Sequence, residues 1–214
     1  MKKLLYIIAN SKAEEQSSSR TVSRALVNTI LEKDQTVQLE ELNLYEEHVP
    51  QLKGCYFQSR STIVSSEARN KLTTEEQKEV EKIEDLCDQF KAADIYVLAA
   101  PMWSLSFPAP VKEYLDCIIQ SGKTITFEGN KPHGLMNDKK RVFIYVQSSG
   151  GNIPWILKSA LSKGLNYVED IMKFIGINTF DELLVDGTGT TEEERQNAIK
   201  TAVEKIPHLV EKLF

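Results

Sequence analysis

The chain has 214 residues, 41% of them hydrophobic, and a formal net charge of −5. That size and composition suit one globular domain, residues 1–214, with a core of ordinary extent. An acidic balance without a basic block argues against nucleic acid or an anionic membrane as partner, and no apolar run approaches a membrane span.

Lys3 to Ala9 reads as a first buried strand. Its apolar run is too short for a signal peptide and leads straight into polar residues. Asn10 to Ser19 is a polar loop, and Arg20 to Glu32 has helical spacing, with Val22, Leu26 and Ile30 on one face. Ser11, Ser17, Ser18 and Ser19 stand between this strand and helix. Hydroxyls and free N–H groups at a helix start form an anion site that suits a phosphate monoester. The same serines also suit plain N-cap and loop duty. The loop lacks GxGxxG and GxxxxGK[ST], so it signals neither a dinucleotide fold nor a nucleoside triphosphatase.

Thr36 to Leu42 alternates as a second strand, and residues 43–72 form a long, less regular excursion with room for short helical turns. Such excursions tend to be functional or interfacial. Thr73 and Glu76 stand at capping-box spacing and open a helix to about Ala92. Ile95 to Ala100 is an unbroken apolar run, as expected of a strand buried on both faces. Pro101 stops it, and Met102, Trp103, Ser104, Leu105 and Phe107 follow in a short loop. Pro108 or Pro110 opens the next helix, Val111 to Gln120. Such a loop suits a flat, partly apolar ligand, or simply packs on its own helix.

Thr124 to Phe127 alternates as a short strand or arm, and Gly129 to Lys140 reads as loop. Arg141 to Gln147 is a fourth strand, ending in Ser148-Ser149-Gly150-Gly151, where two glycines permit close backbone approach to a ligand. Residues 154–175 read as helix with Gly176 as its C′ cap. Asn178 to Val185 is a fifth strand, and Thr191 caps a last helix to about Phe214. Three cysteines without CxxC spacing suggest a reducing cytoplasm, and three scattered histidines offer no metal site.

Strands alternating with helices imply an α/β fold with a doubly wound parallel sheet. The candidate ligand loops follow strands one, three and four. In the flavodoxin-like three-layer sandwich, with sheet order 2-1-3-4-5, strands one and three flank the switch point where FMN binds.

Pro101-Met102-Trp103, Pro108 and Lys112-Glu113-Tyr114-Leu115-Asp116 resemble the FMN-dependent NADH-azoreductase family, with its P-M-[WY]-N-F-x-x-P pattern followed by K-x-Y-x-D. The resemblance extends to the serine loop, Gly122 to Phe127, Gly134-Leu135, the Gly-Gly after strand four and Phe174-Ile175-Gly176. It implies a cytoplasmic homodimer that reduces quinones and azo compounds with NADH or NADPH by a ping-pong route. Ser11 and Ser17 to Ser19 match the phosphate loop. Pro101 to Leu105 and Ser148 to Gly151 match the ring loops. Trp103 and Phe127 are candidate pocket walls. No side chain is expected as acid or base, because flavin carries the hydride chemistry. Two departures stand out: Ser104-Leu105 replaces the usual Asn-Phe, and Ser148-Ser149 lacks a basic residue found in some relatives. The alternative is a flavodoxin-type electron carrier with a protein partner. A receiver domain lacks its acidic cluster here, and a serine hydrolase lacks its GxSxG elbow.

Overall fold

A computed structural model describes residues 1–152 and 161–213. Five strands form one parallel sheet: β1 (Lys3–Ile8), β2 (Gln38–Asn43), β5 (Ile95–Pro101), β8 (Val142–Ser148) and β9 (Thr179–Val185). Their spatial order is β2-β1-β5-β8-β9, the expected 2-1-3-4-5 of a flavodoxin-like sheet. β5 and β8 lie at its centre, which explains their continuous apolar runs: helices cover both faces.

One face is covered by α1 (Ser18–Lys33), α6 (Glu192–Val203) and α7 (Ile206–Glu211), through Val22, Leu26, Ile30, Ile199, Ala202 and Leu209. The other is covered by α3 (Thr74–Ala92), α4 (Ala109–Ile118) and α5 (Lys163–Ile175), through Ile83, Phe90, Leu115, Ile118, Val168 and Met172. The capping box at Thr73 is present: Thr73 Oγ1 accepts from Glu76 N–H at 3.2 Å, and Thr73 N–H donates to Glu76 Oε2 at 2.9 Å.

Three expectations change. Residues 129–140 are not all loop: β6 (Ile125–Glu128) and β7 (Lys131–Gly134) pair antiparallel, Glu128 opposite Lys131, around Gly129-Asn130. Pro132 is tolerated because this two-stranded ribbon leaves its N–H side without a third strand. The last helix is two, because Pro207 has no N–H to continue α6 and instead sits in the first turn of α7. The excursion holds, besides the expected helical turn, α2 (Ser66–Arg69), a small ribbon of β3 (Phe57–Ser59) and β4 (Thr62–Ile63). Of the helix expected over residues 154–175, the part before residue 161 lies outside the described residues, as does Phe214.

Candidate functional site

The chain steps from β1 to β2 on one side and then crosses to β5 on the other. The carboxyl ends of β1 and β5 therefore part, and a crevice opens between their loops. A cavity of about 330 Å³ occupies it. Its walls come from the loop after β1 (Asn10, Lys12, Gln16, Ser17, Ser18), the loop after β5 (Pro101 to Trp103) and the loop after β8 (Ser148 to Gly150). A fourth wall, Thr188 to Glu192 with Arg195, follows β9.

The first wall is built around Ser17, the N-cap of α1. Its Oγ accepts from Arg20 N–H at 3.3 Å and from Asn10 Nδ2 at 2.7 Å. Asn10 also accepts from Lys12 N–H at 2.9 Å, so one buried amide folds the loop onto the helix start. Among the described residues, no backbone acceptor takes the Ser18 and Ser19 N–H groups. The first turn of α1 contains no acidic side chain. That end therefore keeps its free donors and its positive dipole, and both favour an anion. The start of α6 differs. Glu192, Glu193 and Glu194 fill its first turn, and Glu194 closes a capping box with Thr191. An anion is favoured at the α1 end and opposed at the α6 end.

Met102 N–H donates to Ser148 O at 2.7 Å, which joins the loops after β5 and β8 just beyond the sheet. Trp103 and Ser106 then exchange backbone hydrogen bonds of 3.1 and 2.8 Å. The tight turn between them puts Ser104 at φ 50° and Leu105 at φ 62°. Left-handed backbone at two successive turn residues is the geometry that Asn-Gly fills most easily, and Leu fills it poorly. Leu105→Gly is expected to raise the unfolding free energy by about 0.5–1 kcal/mol, read as a thermal midpoint about 2 °C higher. A lower midpoint would show that Leu105's side chain contributes more than its backbone conformation costs.

The loop after β8 is laced to the loop after β9. Thr188 N–H donates to Ser149 O at 3.1 Å and Gly189 N–H to Gly150 O at 3.0 Å. Ser149 Oγ lies 2.7 Å from Asp186 Oδ1. Among the described residues, no atom outside the neighbouring residues lies within 4 Å of where a Cβ on Gly150 or Gly151 would stand.

Of the sequence-predicted residues, Ser17, Ser18, Pro101, Met102, Trp103, Ser148, Ser149 and Gly150 line this one cavity. Ser11, Ser19, Ser104, Leu105 and Gly151 do not. Ser11 points to solvent, and Ser19 is fully buried with its Oγ 3.3 Å from that of Ser17. Ser104 and Leu105 form the turn tip, and Gly151 serves as an acceptor for Gly187 N–H. Phe127 does not line this cavity; it packs against the core beneath the guanidinium of Arg60, 5.6 Å from its ring centroid. Asn10, Lys12, Gln16 and the Thr188–Arg195 wall were not among the expected site residues. Among the described residues, no cluster of His, Cys, Asp and Glu could hold a metal ion.

Sheet order and crevice define a flavodoxin-like protein, and a family model described as Flavodoxin-like fold matches residues 2–209. The chain is 66% identical over 213 residues to an FMN-dependent NADH:quinone oxidoreductase of Ruminiclostridium cellulolyticum, covering all of both chains. It is 56% identical over 215 residues to one of Clostridium botulinum, again over the full length of both. A solved FMN-dependent NADH-azoreductase of Bacillus anthracis, in complex with FMN, is 26% identical with a TM-score of 0.79 over 98% of this chain and 100% of that one. The chain belongs to the FMN-dependent NADH:quinone oxidoreductase family of flavodoxin-like proteins.

Proposed function

We propose that this chain is an FMN-dependent oxidoreductase that uses NADH or NADPH to reduce quinones and the azo bond of aromatic azo compounds. The observation that carries this reading is the single cavity at the β1/β5 switch point, with an anion-favouring helix start at one end and backbone loops at the other. The names of the relatives support the same chemistry.

FMN, when bound, supplies the hydride chemistry. The Ser18 and Ser19 N–H groups and the Ser17 cap would hold its phosphate. Met102, Trp103 and Ser148 to Gly150 would hold and orient its ring. The donor's nicotinamide and then the flat acceptor would be held in turn against the loops that hold the ring, a ping-pong order. Holding reacting rings at contact distance is the protein's main contribution.

Among the described residues, the charged side chains on the cavity wall are Lys12, Glu192 and Arg195. Hydrogen bonds from Arg195 and Gln196 hold the Glu192 carboxyl down at about 2, and the Glu192 carboxylate raises Arg195 above its ordinary range. Both keep their charge at neutral pH, which supports a site that positions and polarises and leaves proton exchange to solvent.

The reading extends to a single-domain homodimer in the cytoplasm. The excursion of residues 43–72 and the exposed apolar side chains of Leu52, Tyr167 and Phe174 support a second copy as partner. Among the described residues, no helix is long and apolar enough to cross a membrane.

The test is an anaerobic absorbance spectrum of the FMN-saturated protein. NADH is expected to bleach the flavin band, and a quinone or azo dye to restore it. A bound flavin that NADH leaves oxidised would overturn the reductase in favour of an electron carrier. Failure to bind FMN would overturn both.

A further inference from the structure

Resting on the FMN reading above, we infer that Lys12 and Arg195 form a cationic clamp on the phosphate of the flavin nucleotide, drawn from two elements far apart in sequence.

Among the described residues, the cavity wall carries two cations and one carboxylate, a formally positive balance in a chain whose net charge is −5. The carboxylate is already engaged. Glu192 accepts from Arg195 Nε at 2.8 Å and Nη2 at 2.7 Å, and from Gln196 Nε2 at 2.6 Å. Among the described residues, Arg195 Nη1 is left over, buried and without a hydrogen-bond partner. A guanidinium carries five donors in a rigid fork, and a buried unpaired one is unfavourable. Turning the fork towards the cavity trades one Glu192 bond for a phosphate oxygen and gives the spare donors an acceptor.

Position favours the phosphate over the ring. α6 packs beside α1 on the same sheet face, where Ile199 and Ala202 share a core with Val22 and Leu26. Its first turn therefore stands next to the Ser17–Ser18 end of the cavity. α6 opposes an anion through its glutamates, so its contribution is the Arg195 charge, not its N–H groups. Lys12 stands on the other strand's loop. Its N–H is held by Asn10 Oδ1 at 2.9 Å and its carbonyl by Arg20 Nη1 at 2.6 Å. The backbone is fixed, and an exposed side chain remains at the cavity wall. A two-pronged guanidinium and a mobile ammonium together suit a phosphate dianion.

The experiment titrates the flavin-free protein with FMN and with riboflavin, which lacks the phosphate. Arg195→Ala is expected to weaken FMN binding about 10- to 100-fold, while riboflavin binding stays within about twofold. Arg195→Lys falls between, since it keeps the charge and loses the fork. Lys12→Ala is expected to weaken FMN about two- to fivefold, chiefly at low salt. Unchanged riboflavin binding doubles as the check that the variants fold. Equal losses for both flavins, or none for FMN, would overturn the clamp while leaving the FMN reading standing. So would variants that raise only the KM for NADH, which would assign these cations to the donor's diphosphate. Wild-type protein that binds neither flavin would overturn both.

Discussion

Replacing Arg141 by methionine is expected to lower the unfolding free energy by about 3–5 kcal/mol. The Arg141 side chain is 2% exposed. Its donors reach Lys91 O at 2.9 Å, Ala93 O at 3.3 Å and Met136 O at 2.9 Å, besides the Asp138 carboxylate. One guanidinium thus closes the carboxyl end of α3, where helix carbonyls lack partners, and ties it to the start of β8. Methionine fills much of the volume and satisfies none of these carbonyls. Urea unfolding of the variant beside Asp138→Asn separates the causes. The Asp138 side chain is 63% exposed, so its loss is expected to cost under about 1 kcal/mol. Equal losses in the two variants would show that the ion pair, and not the carbonyl network, is what matters.

Gly134→Ala is the second large effect, and it arises from space. An alanine Cβ there would stand 2.2 Å from the backbone carbon of Ile175, 2.3 Å from its oxygen and 2.6 Å from Phe174 O. No rotamer change relieves a collision with backbone, so the β6–β7 ribbon and the end of α5 must separate. That also stretches the 2.8 Å bond from Met136 N–H to Ile175 O. A cost of about 3 kcal/mol is expected, which for a chain of this length lowers the thermal midpoint by about 6–12 °C. A calorimetric scan that finds the midpoint within 2 °C of wild type, on the same scale of degrees per kcal/mol, would refute the close approach. Gly54→Ala is the matching control, since nothing lies within 4 Å of its Cβ position.

The frame of this fold was legible because its signals are local and steric. The runs in β1, β5 and β8 could be read as strands buried on both faces, and Thr73 with Glu76 marked a helix start that both hydrogen bonds now occupy. Gly176, left-handed at φ 107°, ends α5 as its sequence position suggested. The failures have equally local causes. Pro132 argued against a strand, but a ribbon with no third strand can spare an N–H. Pro207 sits inside a run that otherwise suits one helix. In the candidate site, the loops after β1, β5 and β8 announced themselves by serine clusters, a proline stop and paired glycines. The wall from Thr188 to Arg195 gave no such sign, because Thr190 and Thr191 read only as caps. Cross-chain hydrogen bonds, from Thr188 to Ser149 and from Gly189 to Gly150, bring that wall to the cavity. Such pairing depends on which strands become neighbours, which no single stretch of sequence states.

α5 touches backbone at both ends. At its start, a Cβ on Gly164 would stand 2.8 Å from Ser106, and Gly164 N–H donates to Leu105 O at 3.2 Å. At its end, Ile175 lies against Gly134. The helix spans about 20 Å at 1.5 Å per residue. Side chains normally cushion the meeting of two elements, since they can change rotamer. At both joints the closest approach is to backbone, so α5 bridges the β6–β7 ribbon and the turn beside the cavity with little slack.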